Sequence, residues 1–350
     1  MLDKLLIHNK LDRHTSILGY SVENRPILLS SFGSGKRKVL FWSQMHGNES
    51  TTTRALIQLF SDLTTKKSSL FNDLSIKVIY QLNPDGANKY SRFNANGIDL
   101  NRDAIKRTQP ESKLLISLFN VFKPHFCINL HDQRSIYAAG NSHLPALISF
   151  LAPSFDHSKS INEVRKKTMT MIGRIYKGIK TRTNWSVGRY NDDFNINCFG
   201  DFFMSQNTPI ILLEAGHHPN DFGRNIVVHE VYKSLLMFLN LFVHENQFKS
   251  NTETYFSIPK NYDHLRDIEI TNIRSLSGLS NKLFVQFHEI LRGDKIYFSP
   301  YIENETSKEL YGNIIIDFSK FTSKSIDLKQ NNQKIIEKLK LFLDFSLFLK

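Results

Sequence analysis

A histidine and a glutamate lie close together at the end of an apolar stretch in the first part of the chain. In the heptapeptide SQMHGNE, residues 43–49, only Gly47 and Asn48 separate His46 from Glu49. Imidazole nitrogens and carboxylate oxygens are common zinc ligands, and a catalytic zinc usually has three protein ligands and one open position. The pair therefore predicts part of a metal site that needs a third ligand from elsewhere in the chain.

Two later segments carry the remaining groups that a hydrolytic zinc site needs. His131 follows the apolar stretch HFCINL and is the candidate for the distant ligand. Glu214 follows the apolar stretch PIILL, where partial burial is expected to raise its carboxyl pKa. Such a carboxylate can take a proton from the attacking water and pass it to a leaving amine, while a metal ion polarises the carbonyl group. The sequence thus predicts metal-assisted hydrolysis.

Two arginines lie in the segment RFNANGIDLNRD, residues 92–103. Arg102, beside Asn101, is predicted to bind a substrate carboxylate through paired hydrogen bonds. Arg92 is predicted to stabilise the oxyanion of a tetrahedral intermediate, and Asp99 to orient its neighbours. Each residue alone also fits a purely structural role, in a surface ion pair or a hydrogen-bonded core. Only their combination, in this order, favours catalysis.

These candidate residues follow the ends of predicted strands. Buried strands are predicted at residues 38–44, 75–82, 125–130 and 209–216, and helices from residue 50 and over 110–123, 159–180 and 224–246. The alternation predicts an α/β domain with a largely parallel sheet, in which ligands bind at the carboxyl ends of the strands. After about residue 250, four strand-like segments and a helical tail predict a small β-rich domain. The expected division is 1–248 and 249–350.

The composition limits the classes of protein to which the chain can belong. The 350 residues are 41% hydrophobic, enough for a sizeable core, and the net charge of +12 is scattered without a block of five like charges. No nucleic-acid partner is therefore expected. The two cysteines, Cys127 and Cys198, do not indicate a disulfide framework. The first residues lack a secretory-signal pattern and no run of 18 apolar residues occurs, so we expect a cytoplasmic protein without a membrane span.

The order of the motifs resembles the zinc carboxypeptidases of the carboxypeptidase A-like family. HGNE is followed by NPDG, by R-x-N-x-x-G-x-D-L-N-R, by a strand ending in His and by a strand ending in Glu. The upstream stretch SVENRPI is similar to a segment that precedes the metal motif in many members. The resemblance covers about residues 15–245. It implies an α/β fold with a mixed, mostly parallel eight-stranded sheet flanked by helices, and one zinc ion per chain.

The resemblance also implies a role for each candidate residue. The implied zinc ligands are His46, Glu49 and His131, and the implied general base is Glu214. Arg92 is implied to polarise the scissile carbonyl. Asn101 and Arg102 are implied to bind the terminal carboxylate of a peptide. One feature departs from the family pattern. Many members carry a loop tyrosine roughly twenty residues before the catalytic glutamate, and here the candidate, Tyr190, precedes Glu214 by 24 residues.

Three functional hypotheses follow from these residues and the resemblance. The favoured one is a metallocarboxypeptidase, because the full DLNR segment occurs together with LLEAGHH. The second is a zinc-dependent N-acyl amino-acid amidohydrolase, because the related succinylglutamate desuccinylase and aspartoacylase group also adds a β-rich C-terminal domain. The third is a basic binding module without activity. Serine or cysteine catalysis is disfavoured, since the chain lacks a GxSxG motif and Cys127 lies within an apolar strand. The oligomeric state is not predicted.

Overall fold

The computed structural model describes residues 2–244, 249–273, 282–303, 309–321, 330, 332–341 and 343–345. The helices are α1 (Leu2–His8), α2 (Thr51–Thr65), α3 (Leu70–Asp73), α4 (Pro84–Lys89), α5 (Pro110–Phe122), α6 (Glu163–Arg182), α7 (Phe199–Ser205), α8 (Asn225–Val243), α9 (Glu253–Phe256) and α10 (Asn332–Lys340). The strands of the first part are β1 (Thr15–Tyr20), β2 (Pro26–Phe32), β3 (Arg37–Trp42), β4 (Leu74–Ile79), β5 (Phe126–Asp132), β6 (Ala138–Ala139), β7 (Ile148–Leu151), β8 (Val187–Arg189) and β9 (Ile210–Ala215). The later strands are β10 (Asn261–Tyr262), β11 (Leu265–Thr271), β12 (Leu283–Arg292), β13 (Lys295–Ile302) and β14 (Tyr311–Asp317).

A mixed eight-stranded sheet forms the centre of the molecule. Its strand order is β1-β2-β4-β3-β5-β9-β7-β8. The pairs β3–β4, β3–β5, β5–β9 and β7–β8 are parallel, whereas β1–β2, β2–β4 and β7–β9 are antiparallel. The expected fold class, α/β with a mixed and mostly parallel eight-stranded sheet, is confirmed. The central strands β3, β5 and β9 are parallel, so their carboxyl ends meet at one edge.

Helices cover both faces of this sheet, which explains why its central strands are continuous apolar runs. One face packs against α2, α6 and α8 through residues such as Leu59, Ile172 and Phe238. The other face packs against α5 and α7 through Leu115 and Phe203, among others. The predicted helices and central strands are present with ends shifted by a few residues. Residues 245 and 246 of the last predicted helix lie outside the described residues.

A second, four-stranded sheet follows, with the order β13-β12-β11-β14. Its apolar face packs against α10 through Ile335, Ile336 and Leu339. Gly293, at φ 63°, occupies the turn of the β12–β13 hairpin. The segment before this sheet contacts the first part of the chain, because β10 pairs with β6 and the Tyr255 hydroxyl accepts a hydrogen bond from the backbone of Ala152. The domain division at residues 248 and 249 stays a prediction.

Helix α8 is long and apolar enough, by length and composition, to cross a membrane. Half of its apolar window is buried inside the protein, where Phe238 and Phe242 are part of the core. The core helix of a soluble protein has the same properties, so α8 by itself does not indicate a membrane span.

Candidate active site

Three predicted metal ligands converge at the carboxyl ends of β3 and β5. His46 and Glu49 lie in the connection between β3 and α2, and His131 lies near the end of β5. One ligand atom from each residue lies within 4.8 Å of the other two, and all three residues are buried. The Nδ1 atoms of the two histidines are 3.2 Å apart, and Glu49 Oε1 lies 2.7 Å from His46 Nδ1. Such a set, two imidazoles and a carboxylate, suits zinc.

The neighbours of these residues support the fit to a metal ion. The second ring nitrogen of His46, Nε2, lies 3.0 Å from a carboxylate oxygen of Asp99. A carboxylate in that position holds the ring hydrogen on Nε2 and leaves the Nδ1 lone pair to bind a metal ion. The backbone N–H of Asp132 donates to Glu49 Oε2 at 3.2 Å, which orients the carboxylate. The residues present therefore fit a zinc site.

Glu214 lies beside the predicted metal ligands because β9 pairs with β5. The register of these parallel strands places Glu214 opposite His131. Burial raises the pKa of the Glu214 carboxyl well above its ordinary value, and the negative charges of Glu49 and Asp132 raise it further, while Arg92 lowers it. A raised pKa makes a carboxylate a stronger proton acceptor, which favours the role of a general base. The direction of the pKa shift is the one expected from burial, and the role of Glu214 stays a prediction.

Arg92 and Asp99 form a pair next to the predicted metal ligands. Asp99 Oδ2 accepts hydrogen bonds from Arg92 Nε at 3.1 Å and Nη2 at 2.9 Å. Arg92 Nη1 also lies 3.8 Å from Glu49 Oε1, and its side chain is 41% exposed. The same aspartate thus holds both a predicted metal ligand and an arginine. The orienting role expected for Asp99 agrees with these contacts.

Asn101 and Arg102 lie in a short 3-10 helix, Leu100–Arg102, whose first turn is capped by the Asp99 side chain. Asn101 Oδ1 accepts a hydrogen bond from the backbone N–H of Phe199 at 3.0 Å, so its amide nitrogen is the end that offers donors to a ligand. Arg102 Nη1 donates to the Asn101 carbonyl at 2.7 Å and contacts Cys198 Sγ at 3.1 Å. The pair is therefore held at the wall of the cavity by α7 and the residue before it.

Tyr190 immediately follows β8 and faces the same cavity. Its hydroxyl lies 3.1 Å from the hydroxyl of Tyr137. Burial, the nearby Glu214 and the contact with Tyr137 raise the pKa of Tyr190, so its hydroxyl stays protonated and can donate a hydrogen bond. Tyr190 therefore lies at the cavity even though it precedes Glu214 by more residues than the family pattern has.

All eight predicted site residues line one cavity of about 580 Å³. This volume is in the range of ligand pockets. Sequence reasoning missed other lining residues, which are Asp132, Gln133, Tyr137, Leu151, Pro153, Asn191, Asp193, Phe194, Asn195, Cys198, Gly200, Asp201 and Leu212. Asp132, directly after His131, had a signal in the sequence. The others lie mostly in loops without a motif.

The candidate cavity is lined by Cys198 but not by His217, His218 or Cys127. His217 lines a separate cavity of about 260 Å³ together with Phe222 and residues of β12, and His218 contacts the carbonyl of Pro219. Burial raises the pKa of Cys127 well above its ordinary value and that of Cys198 to about 11. Both thiols are therefore protonated at neutral pH, which disfavours cysteine catalysis.

Comparison with known proteins confirms the resemblance to the zinc carboxypeptidases. The sequence profile of the family, described as zinc carboxypeptidase, matches residues 8–126. "Probable carboxypeptidase 2" of Trichophyton verrucosum is 29% identical over 133 residues, which are 36% of this chain and 25% of that protein. "Carboxypeptidase 2" of Trichophyton rubrum is 31% identical over 101 residues, 27% of this chain and 19% of that protein. The matched region spans about a quarter of these curated relatives.

Solved structures agree with the fold. A metallo-carboxypeptidase from Burkholderia cenocepacia superposes with a TM-score of 0.54 at 17% identity, covering 71% of this chain and 69% of that chain. Carboxypeptidase A from Helicoverpa armigera gives a TM-score of 0.53 at 15% identity, covering 71% and 72%. A metallo-carboxypeptidase from Pseudomonas aeruginosa, in complex with (2-guanidinoethylmercapto)succinic acid, gives 0.55 at 16% identity, covering 69% and 68%. At these identities the likeness concerns the fold.

Proposed function

We propose that this chain is a zinc-dependent metallocarboxypeptidase that hydrolyses the C-terminal peptide bond of peptides. One observation carries the proposal. A single cavity contains a buried His-Glu-His cluster, a carboxyl group with a raised pKa beside it, and an Asn-Arg pair at its wall. The first two are the parts of a metal-assisted hydrolase, and the third fits a substrate with a free carboxylate.

In this proposal each residue of the chain has a defined task. His46, Glu49 and His131 hold a zinc ion, which when bound supplies a Lewis acid that polarises the scissile carbonyl. Glu214 takes the proton of the attacking water and later gives it to the leaving amine.

The arginines and the asparagine complete the arrangement. Arg102 and Asn101 bind the terminal carboxylate and so select the last peptide bond of the substrate. The Arg92 guanidinium donates to the oxyanion that develops on the carbonyl oxygen. Tyr190 donates a hydrogen bond to the bound peptide.

The metal content of the purified protein is the first test. We expect one zinc per chain by elemental analysis, and loss of that zinc in His46→Ala, because removal of one of three ligands leaves too few. His229→Ala changes an exposed histidine on α8 and is the matched control. Removal of zinc with a chelator should abolish hydrolysis, and its return should restore it. A wild-type protein that takes up no zinc even from added salt would favour an inactive binding module.

The second candidate is an N-acyl amino-acid amidohydrolase. The four-stranded C-terminal sheet favours it, because the related desuccinylase and aspartoacylase group also has a β-rich C-terminal domain. Both activities need zinc and a residue that binds the substrate carboxylate. A panel of peptides and N-acylated amino acids separates them, because a carboxypeptidase hydrolyses peptides with a free C-terminus faster than small acyl amino acids. The opposite preference would assign the second activity. A cytoplasmic location is also a proposal, and cell fractionation tests it.

A further inference from the structure

The C-terminal sheet contacts the first part of the chain behind the predicted metal site. One of the residues that make this contact is Glu289, on β12. Glu289 Oε1 accepts a hydrogen bond from Arg224 Nη2 at 2.5 Å, and Oε2 accepts one from the Tyr90 hydroxyl. Oε2 also lies 3.5 Å from Arg134 Nη1. One carboxylate of the C-terminal sheet therefore contacts three residues of the other part of the molecule.

Arg134 connects Glu289 to the HGNE motif. Its Nη2 donates a hydrogen bond to the backbone carbonyl of Asn48, which lies between the ligands His46 and Glu49. The same Nη2 lies 3.3 Å from the Tyr90 hydroxyl, and the guanidinium lies over the Tyr90 ring. Glu289 thus helps to fix the guanidinium that holds the backbone between two metal ligands.

Arg224 connects Glu289 to the third ligand. Its Nη1 lies 3.4 Å from Oδ2 of Asp132, the residue that follows His131. Asp132 Oδ2 also accepts a hydrogen bond from the backbone N–H of Thr51 at 3.1 Å, and the Asp132 N–H donates to Glu49. A second chain of contacts therefore runs from Glu289 to the metal ligands.

The backbone of all three Glu289 partners is in the left-handed region. Tyr90, Arg134 and Arg224 have φ values of 52°, 64° and 59°. Residues with a Cβ atom disfavour this region, and such conformations persist only where the surrounding contacts impose them. The carboxylate that joins the three side chains is one such contact.

The charges of this group balance only when Glu289 is present. Arg134 and Arg224 are two cations, and their anionic partners are Asp132 and Glu289. The two arginine side chains are 22% and 14% exposed, and the carboxylates of Asp132 and Glu289 are 0% and 17% exposed. Water therefore screens their charges only weakly. Without the Glu289 charge, an excess positive charge would lie behind a site that binds a divalent cation.

We propose that Glu289 is a positioning residue for the metal site, and that the C-terminal sheet thereby raises the zinc affinity of the first part of the chain. This inference rests on the proposed function, because it requires zinc at His46, Glu49 and His131. Glu289 acts through Arg134 and Arg224 and does not contact the ligands. The C-terminal sheet is then a part of the metal site as well as a packed domain.

The test is the zinc dissociation constant of Glu289→Gln, measured by competition with a chromogenic chelator. We expect a rise of about tenfold, at the low end of the effects found for residues that orient metal ligands. Glutamine keeps an acceptor for Tyr90 but removes the charge. The matched control is Glu303→Gln, which breaks an ion pair with Arg266. Its zinc affinity should equal that of the wild type.

The thermal unfolding of the metal-free proteins separates positioning from simple packing. A packing role would lower the unfolding temperature of Glu289→Gln and leave its zinc dissociation constant unchanged, and this result would overturn the inference. An equal loss of affinity in Glu303→Gln would also overturn it. If Glu289→Gln does not fold, Tyr90→Phe removes one hydrogen bond to Glu289, and an unchanged affinity there has the same meaning. Failure of the wild type to bind zinc would instead contradict the proposed function.

Discussion

The candidate cavity has two walls that differ in how they are built. The strand-end wall consists of His46, Glu49, His131 and Glu214, which lie at or after the carboxyl ends of β3, β5 and β9. The loop wall consists of Arg92, Asn101, Arg102 and Tyr190, which lie in a 3-10 helix and in connecting segments. The residues of each wall come from distant parts of the chain, and both walls line one cavity.

The metal-ligand residues of the first wall and the arginines of the second also differ in burial and in what holds their side chains. The metal-ligand residues of the strand-end wall are 2% to 6% exposed and contact one another. In the loop wall, the Arg92 side chain is 41% exposed and is held by Asp99, and Arg102 is held by the Asn101 carbonyl and Cys198. Buried groups in weakly screened surroundings shift each other's pKa, whereas exposed cations attract a charged ligand. We therefore expect the strand-end wall, together with Arg92, to govern turnover. The other residues of the loop wall should govern binding.

The largest effect is expected for Glu214→Gln. Glutamine cannot accept the proton of the attacking water, so kcat should fall by about 10⁴-fold, at the upper end for loss of a general base. Zinc content should stay at one per chain, because Glu214 is not a ligand. Single-turnover and steady-state assays measure the loss, and Glu163→Gln, an exposed glutamate at the start of α6, is the control. Near-normal turnover in Glu214→Gln would show that another residue is the base.

A smaller effect is expected for Arg102→Gln. Loss of a charge-assisted interaction of about 3 kcal/mol should reduce kcat/KM by about 100-fold. Most of that loss should be a rise in KM. Arg102→Lys keeps the charge without the paired hydrogen bonds and should give an intermediate loss.

A substrate with an amidated C-terminus provides the control for Arg102. It lacks the carboxylate, so the wild type and Arg102→Gln should hydrolyse it at the same low rate. An equally large loss with the amide as with the free acid would contradict the assignment of Arg102 as the carboxylate-binding residue.

The smallest effect is expected for Tyr190→Phe. Its hydroxyl contributes one neutral hydrogen bond to the bound peptide, so KM should rise by about threefold to tenfold with little change in kcat. Tyr137→Phe removes the neighbouring hydroxyl and leaves Tyr190 in place, which makes it the matched comparison. A KM equal to that of the wild type in Tyr190→Phe would show that the Tyr190 hydroxyl does not bind the peptide. A large fall in kcat would show that Tyr190 acts in catalysis as well as in binding.

The strand-end wall could be predicted from the sequence because local patterns specify it. The apolar runs before SQMHGNE, His131 and Glu214 predict buried strands, and parallel strands bring their carboxyl ends together. The roles of Arg92 and Arg102 were predicted from their chemistry, and the family resemblance implied the same roles and added Asn101 as a carboxylate-binding residue. The antiparallel strands β1 and β2 were not predicted individually, and β1, the edge strand, has no buried residue. Tyr137 was missed because its position follows from a loop path that no periodicity specifies.

The amino-acid sequence by itself determined the α/β class, the residue types of a zinc hydrolase and their order along the chain. These features follow from apolar periodicity and from motifs whose members are close in sequence. Only the tertiary structure decided that Tyr190 faces Glu214 despite its shifted spacing, that His217 lies in a separate cavity, and that Glu289 contacts Arg134 and Arg224. Glu289 is 65 positions from Arg224 and 155 positions from Arg134 in the sequence. Contacts over such distances depend on how sheets and loops pack, which a local sequence pattern does not specify.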